Sequence, residues 1–144
     1  MGNAIKLDNL EKINYTNLNH KQKETYNFQK VSSIFADYGF ATIQLNDDWQ
    51  SADFLAQHID GETYLKVQLK SRLTFHEKYL NKDIYICFPH KKDWYLFPHD
   101  ELLKIFLEKN GGGMAISRSW SKAGSYSFSS LSKQNKLLLE KYKL

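Results

Sequence analysis

Asp53, Gln68 and Lys70 are the residues of this chain whose types and spacing can do chemistry. They offer a carboxylate, an amide oxygen and an ammonium. Two such oxygens can hold a hard divalent cation. Magnesium in particular takes oxygen ligands, usually one or two carboxylates, and keeps several waters. A cation held there activates water and neutralises charge developing on a phosphate, and a nearby ammonium does part of the same work. Asp53 would supply the carboxylate, Gln68 its carbonyl oxygen, and the main-chain carbonyl of Leu69 a third ligand. Lys70 would orient the attacking water or stabilise the pentavalent phosphate. Gln68, being neutral, binds a hard cation less tightly than Glu would. Asp47, Asp48 or Glu24 can restore the missing charge.

Those three residues share a surface only if the chain between them folds back. The run from Asp53 to Lys70 alternates apolar and polar residues on either side of Asp60-Gly61, which reads as two strands of a hairpin. Asp-Gly favours a two-residue type I′ loop. With Asp60 and Gly61 as that loop, Asp53 faces Gln68 and Ser51 faces Lys70. Alternation then puts Leu55, Gln57, Tyr64 and Lys66 on the same face as the three candidates. Phe54, Ala56, Leu65, Val67 and Leu69 fall on the other, apolar face, with His58 as the exception near the turn. Facing Cβ atoms in such a pair lie roughly 5 Å apart.

The flanking elements follow from spacing. Residues 1–20 show no periodicity and read as an arm. Phe28, Val31, Ile34, Phe35 and Tyr38 recur at helical spacing, so a helix is expected from Lys21 to Tyr38, ended by Gly39. Glu24 stands one turn before Phe28, in line with that apolar stripe. It either faces a positive group along the sheet or serves as an acid near a helix N-terminus. A first strand is expected over Phe40–Leu45 and a polar turn over Asn46–Asp48. Ser71–Asp83 is a basic connection with room for a short helix. Asp83–Phe88 and Trp94–Phe97 read as a second hairpin, followed by a helix capped by Asp100 and stopped at Asn110–Gly113. A Ser/Gly-rich loop, Ser117–Ser130, leads to a last helix over Ser132–Tyr142.

Composition narrows the class. A chain of 144 residues with 15 % aromatic and 25 % charged residues is long enough for one ordered domain. Cys87 is the single cysteine, inside the apolar run Ile84–Phe88, so no intrachain disulfide can form and a buried thiol is expected. The five histidines are scattered and lack the paired spacing of a zinc site. No signal-peptide pattern or membrane-length apolar run is present, and a soluble, cytoplasmic protein with no membrane partner is expected. Charge is uneven. Residues 109–144 carry seven Lys/Arg against one acid, Glu140, a net +6 within an overall +4. Such a tail suits a polyanion, and it equally suits a solvated surface. Trp120 and Tyr126, set among Arg118 and Lys122, are either a stacking surface for nucleic acid or packing anchors; packing is favoured. Lys66, beside Gln68, is the better candidate for a phosphate contact, with Arg72 also near.

The sequence of a helix containing Glu24, a strand, Asp53 on a second strand and Gln68-Leu-Lys70 on a third resembles the PD-(D/E)XK nuclease superfamily. Within it, the chain resembles the branch of group I intron homing endonucleases and small bacterial proteins that use Gln-X-Lys in place of Glu-X-Lys. The runs Lys78–Phe88 and Trp94–Pro98 are similar as well, and the likeness spans about residues 21–108. It implies a single α/β domain of restriction-endonuclease-like fold, a mixed central β-sheet flanked by helices. The segments would be an N-terminal arm (1–20), a nuclease-like core (21–108) and a basic C-terminal loop and helix (109–144). It further implies an endonuclease cutting DNA with Mg²⁺ or Mn²⁺, Asp53 and Gln68 binding the metal and Lys70 and Glu24 completing the catalytic set. Lys66, Arg72, Arg118 and Lys122 would contact nucleic acid, and two copies can pair as a homodimer. Three departures stand out: Ala52 replaces the usual proline, Gln68 replaces an acid, and the connection from Lys70 to Ile84 is short for a helix. The rival is a catalytically inactive nuclease-fold protein that binds nucleic acid or a protein partner.

Overall fold

The structure is a computed structural model, described for residues 4–49, 51–109 and 111–144; the side chains of residues 47–49, 111 and 112 lie outside the description. Helix α1 runs from His20 to Asp37. Strands β1 (Phe40–Trp49), β2 (Ala52–His58) and β3 (Tyr64–Leu69) follow, then the short β4 (Thr74–His76) and a 3-10 turn over Glu77–Tyr79. Next come β5 (Ile84–His90), β6 (Asp93–Pro98) and α2 (His99–Glu108). The chain ends with α3 (Arg118–Ala123), β7 (Ser125–Ser127) and α4 (Lys133–Leu139). The five long strands form one sheet in the order β1-β2-β3-β5-β6. All neighbours are antiparallel except β3 and β5, which run parallel. The expected α/β class, a mixed central sheet flanked by helices, is what the chain adopts.

Two apolar layers hold the sheet. On one face Val31 and Phe35 of α1 pack on Phe54, Ala56, Val67 and Cys87. On the other, Ile84, Ile86, Phe88, Tyr95 and Phe97 meet Leu102, Leu103 and Phe106 of α2, together with Phe75 and Tyr79 of the crossover. Alternation in β5 explains both layers, since its odd residues serve α1 and its even residues α2. Cys87 is buried, and burial pushes its thiol pKa up, so it is a packing residue.

The β2–β3 register matches the expectation, with Leu55 opposite Lys66 and Gln57 opposite Tyr64. The loop is a different one. It spans residues 59–62 and is closed by His58 N–H to Thr63 O (2.9 Å), and only Gly61 has positive φ (74°). The Asp60 carboxylate takes the amides of Glu62 and Thr63 and the Thr63 hydroxyl. These bonds stabilise the longer loop and hold Asp60 well below the usual carboxylate range, the Thr63 hydroxyl contributing most. Adding one residue to each side of a two-residue loop leaves the register unchanged.

Other expectations are corrected. Asn46–Asp48 is strand and not turn: β1 continues to Trp49, with a register shift between Gln44 and Trp49. Asp100 does not cap α2, whose N-cap is Pro98. It sits in the first turn, where it accepts the Asn81 N–H at 2.9 Å. The 70–83 connection holds a strand and a single 3-10 turn, and the Ser/Gly-rich loop contains α3 and β7, which pairs with β4. The last helix is shorter than expected, α4 giving way to a 3-10 turn at Glu140–Tyr142. Asn110, expected to help stop α2, lies outside the described residues. Trp120 and Tyr126 are half-buried against the α2-side core, so they are packing anchors.

Candidate active site

The β2–β3 pair comes apart at the residues that carry the chemistry. Antiparallel ladders alternate hydrogen-bonded and open pairs. Counting from the bonded pair His58–Thr63, the Leu69 N–H should meet Ala52. Instead it donates to Asp53 Oδ2 at 2.8 Å. On the other side, β1 passes Asp53 with a register shift: Gln44 pairs with Phe54 and Trp49 with Ala52. Such a shift interrupts the pairing and redirects side chains. Here the break opens the sheet at Asp53, while β5 keeps the far side of β3 in place through Lys70 N–H to Cys87 O at 2.8 Å.

The opening is a cleft of about 470 Å³. Glu24, Asp53, Gln68 and Lys70 all line it, so α1 and strands β2 and β3 bring together the four residues expected to form one site. Glu24 is half-exposed on α1, with its carboxylate 3.3 Å from His20 Nε2 and 3.6 Å from Lys21 Nζ. Gln68 Oε1 is buried and has no hydrogen-bond partner among the described residues. A buried acceptor without a donor is costly, about 1–3 kcal/mol. The Lys70 ammonium lies over the Tyr79 ring, 5.5 Å from its centroid.

Does this donor set suit a hard divalent ion? Asp53 and Glu24 offer carboxylate oxygens, and Gln68 offers a buried oxygen whose lone pairs no other described residue takes. Oxygen donors of this kind fit Mg²⁺ or Mn²⁺. Among the described residues no group of three or more His, Cys, Asp and Glu side chains gathers as a metal cluster, carboxylates included. Asp47 and Asp48, named above as further acids, have side chains outside the described residues.

Four residues expected to touch nucleic acid lie off the cleft lining: Lys66, Arg72, Arg118 and Lys122. Lys66 is half-buried in β3, Arg72 is exposed on the crossover, and Arg118 and Lys122 are exposed on α3. The cleft instead carries cations from the chain's first 23 residues. Lys21 and Lys23 line it with His20, and Tyr15 forms part of the wall. Tyr15 is set there by Asn27 Nδ2, which donates to its hydroxyl at 2.9 Å, and by the Tyr26 ring at 5.2 Å. A signal for this was present. Asn19 and Gln22 form a reciprocal capping box that starts α1 at His20. From that start, Lys21 is one turn before Glu24 on the same stripe.

No protein-family model matches the chain. No curated protein matches it. Among solved structures, it is similar to a Holliday junction resolvase from the archaeal hyperthermophile Archaeoglobus fulgidus. Identity is 18 % and the TM-score 0.44, over 54 % of this chain and 74 % of that one. No described helix is long and apolar enough to cross a membrane.

Proposed function

We propose that this chain is a metal-dependent endonuclease that hydrolyses phosphodiester bonds in DNA, on a PD-(D/E)XK scaffold of the Gln-X-Lys type. The observation that carries this reading is the buried Gln68 Oε1, without a donor among the described residues, in the cleft that also holds Asp53, Glu24 and Lys70. An oxygen left without a donor makes sense where a cation is its partner. Asp53 and Gln68 would hold Mg²⁺ or Mn²⁺, with Glu24 as a further acid. When bound, the ion supplies water activation and charge neutralisation. Lys70 brings a fixed positive charge to the scissile phosphate, where charge grows in the transition state. Lys21 and Lys23 meet neighbouring phosphates and set the strand's path. Asp53, tied to Leu69 N–H, keeps its carboxylate at the strand opening.

The test is cleavage of linear, supercoiled and branched DNA with Mg²⁺ or Mn²⁺, beside Asp53→Ala and Lys70→Ala. Metal-dependent nicking lost in both variants is the expected result. Wild-type cutting by either variant would overturn the site. No cutting of any substrate, with salt-sensitive DNA binding retained, would make the protein an inactive nuclease fold that binds. Pairing of two copies, which would let two sites cut both strands, is part of the same proposal and is read by sedimentation with and without DNA.

A further inference from the structure

We propose that Tyr79 is the positioning residue for Lys70: its buried ring fixes the ammonium at the cleft while leaving every N–H donor free for a phosphate. This assignment rests on reading the cleft as a phosphodiesterase site. Lysine is a point charge on a flexible four-carbon stem, so something must place it. Among the described residues no carboxylate pairs with Lys70. Its ammonium lies 5.5 Å from the centroid of Tyr79, inside the range of a cation–π contact. A carboxylate would also hold the ammonium, but it would neutralise the charge and occupy donors. A ring face attracts the charge and takes neither.

The ring itself is held fast. Tyr79 is fully buried, packed edge-on against His99 (5.4 Å, 81°) and His76 (5.9 Å, 63°). The 3-10 turn that carries it is tied down along its length. His76 N–H donates to His99 Nε2 at 3.2 Å, Glu77 N–H to Gly124 O at 2.7 Å, and Asn81 N–H to Asp100 Oδ2 at 2.9 Å. Lys78 Nζ lies 5.2 Å from the same ring centroid, again with no carboxylate paired to it among the described residues. The shortness of the crossover thus serves the site. Where a helix would have covered the sheet, a turn delivers an aromatic platform to the lysine.

The experiment is a fluorination series at position 79 in the full chain, from phenylalanine to mono-, di- and trifluorophenylalanine. Each step weakens the ring's negative face while keeping its shape, so folding is preserved. Two readouts are taken: DNA cleavage as kcat and KM, and the NMR shift of the Lys70 ε-methylene, assigned with Lys70→Arg. Expected are an upfield ring-current shift in the wild type, near-wild-type kcat in Tyr79→Phe, and a kcat falling about tenfold across the series at constant KM. An unshifted Lys70 resonance in the wild type, or a kcat indifferent to fluorination, would overturn the assignment. A wild type that cuts nothing yet shows the shift, with the Lys70 resonance moving as fluorine is added, would defeat the nuclease reading and still support Tyr79 as the holder of Lys70.

Discussion

Asp53 Oδ2 accepts the Leu69 N–H at 2.8 Å, in the place where the antiparallel register would have put the Ala52 carbonyl. A side chain proposed to bind metal therefore also finishes a strand. The two roles separate by substitution. Asn at 53 keeps an acceptor for Leu69 but loses the charge, whereas Ala loses both. Asp53→Asn is expected to fold with near-wild-type stability and to cut at least about 100-fold more slowly. Asp53→Ala is expected to lose the same activity and a further ~1 kcal/mol in urea unfolding, from the unpaired amide. Equal stability of the two variants would show that the Leu69 bond does not hold the strand end.

Gln68 gives the opposite pattern. Its buried Oε1 lacks a donor among the described residues, which leaves an unsatisfied acceptor at the cleft. Gln68→Leu is expected to leave stability unchanged or raise it by about 1 kcal/mol, while cleavage is lost. Gln68→Glu adds a charge that a hard cation prefers, and should lower the half-saturating Mn²⁺ concentration by about tenfold in a thermal-shift titration. A Glu variant no more responsive to Mn²⁺ than wild type would remove Gln68 from the metal site.

How much of this was legible beforehand depends on the range of the interaction. The hairpin register and the common face of Asp53, Gln68 and Lys70 follow from alternation about Asp60-Gly61, a local pattern. The loop type was not legible, because Asp60's own carboxylate stabilises the longer loop. The extension of β1 through the polar Asn46–Asp48 was hidden because it spans a register shift: β1 pairs with β2 as far as Gln44 and again at Trp49, and no local pattern announces that return. The contribution of Tyr15, Lys21 and Lys23 needed tertiary contacts between the arm and α1. The Asn19–Gln22 capping box alone would have placed Lys21 beside Glu24.

Acid should loosen the crossover that carries Tyr79. His99 is buried, and burial lowers its pKa below 6.5 despite the opposing pull of Asp100. Neutral, it accepts the His76 N–H through Nε2, a role the imidazolium cannot fill. The unfolded chain takes up this proton near 6.5 and the folded one only at lower pH. Between those values the unfolded state binds more protons, so this stabilisation is complete above pH 6.5 and falls as pH drops below it. His76 and His90, also lowered by burial, act with the same sign. The urea midpoint is therefore expected to decline below about pH 6.5. His99→Gln should flatten that decline; an unchanged slope in the variant would place the titration elsewhere.

The cleft's lysines decide where DNA runs. If Lys21 and Lys23 each neutralise one phosphate, replacing either with Ala releases one fewer condensed counterion on binding. The slope of log affinity against log salt then falls by about 0.9 for each duplex phosphate no longer neutralised. Lys122, exposed on α3 and off the cleft lining, should leave the slope unchanged if the strand follows the cleft. A fluorescence-anisotropy titration at several salt concentrations, in the presence of Ca²⁺ to hold back cleavage, separates the two paths. A slope lowered by Lys122→Ala and indifferent to Lys21→Ala would route the DNA over the basic C-terminal segment. The +6 tail would then be the binding surface, with Lys21 serving to pair with Glu24 and Lys23 to rest on the Tyr15 ring.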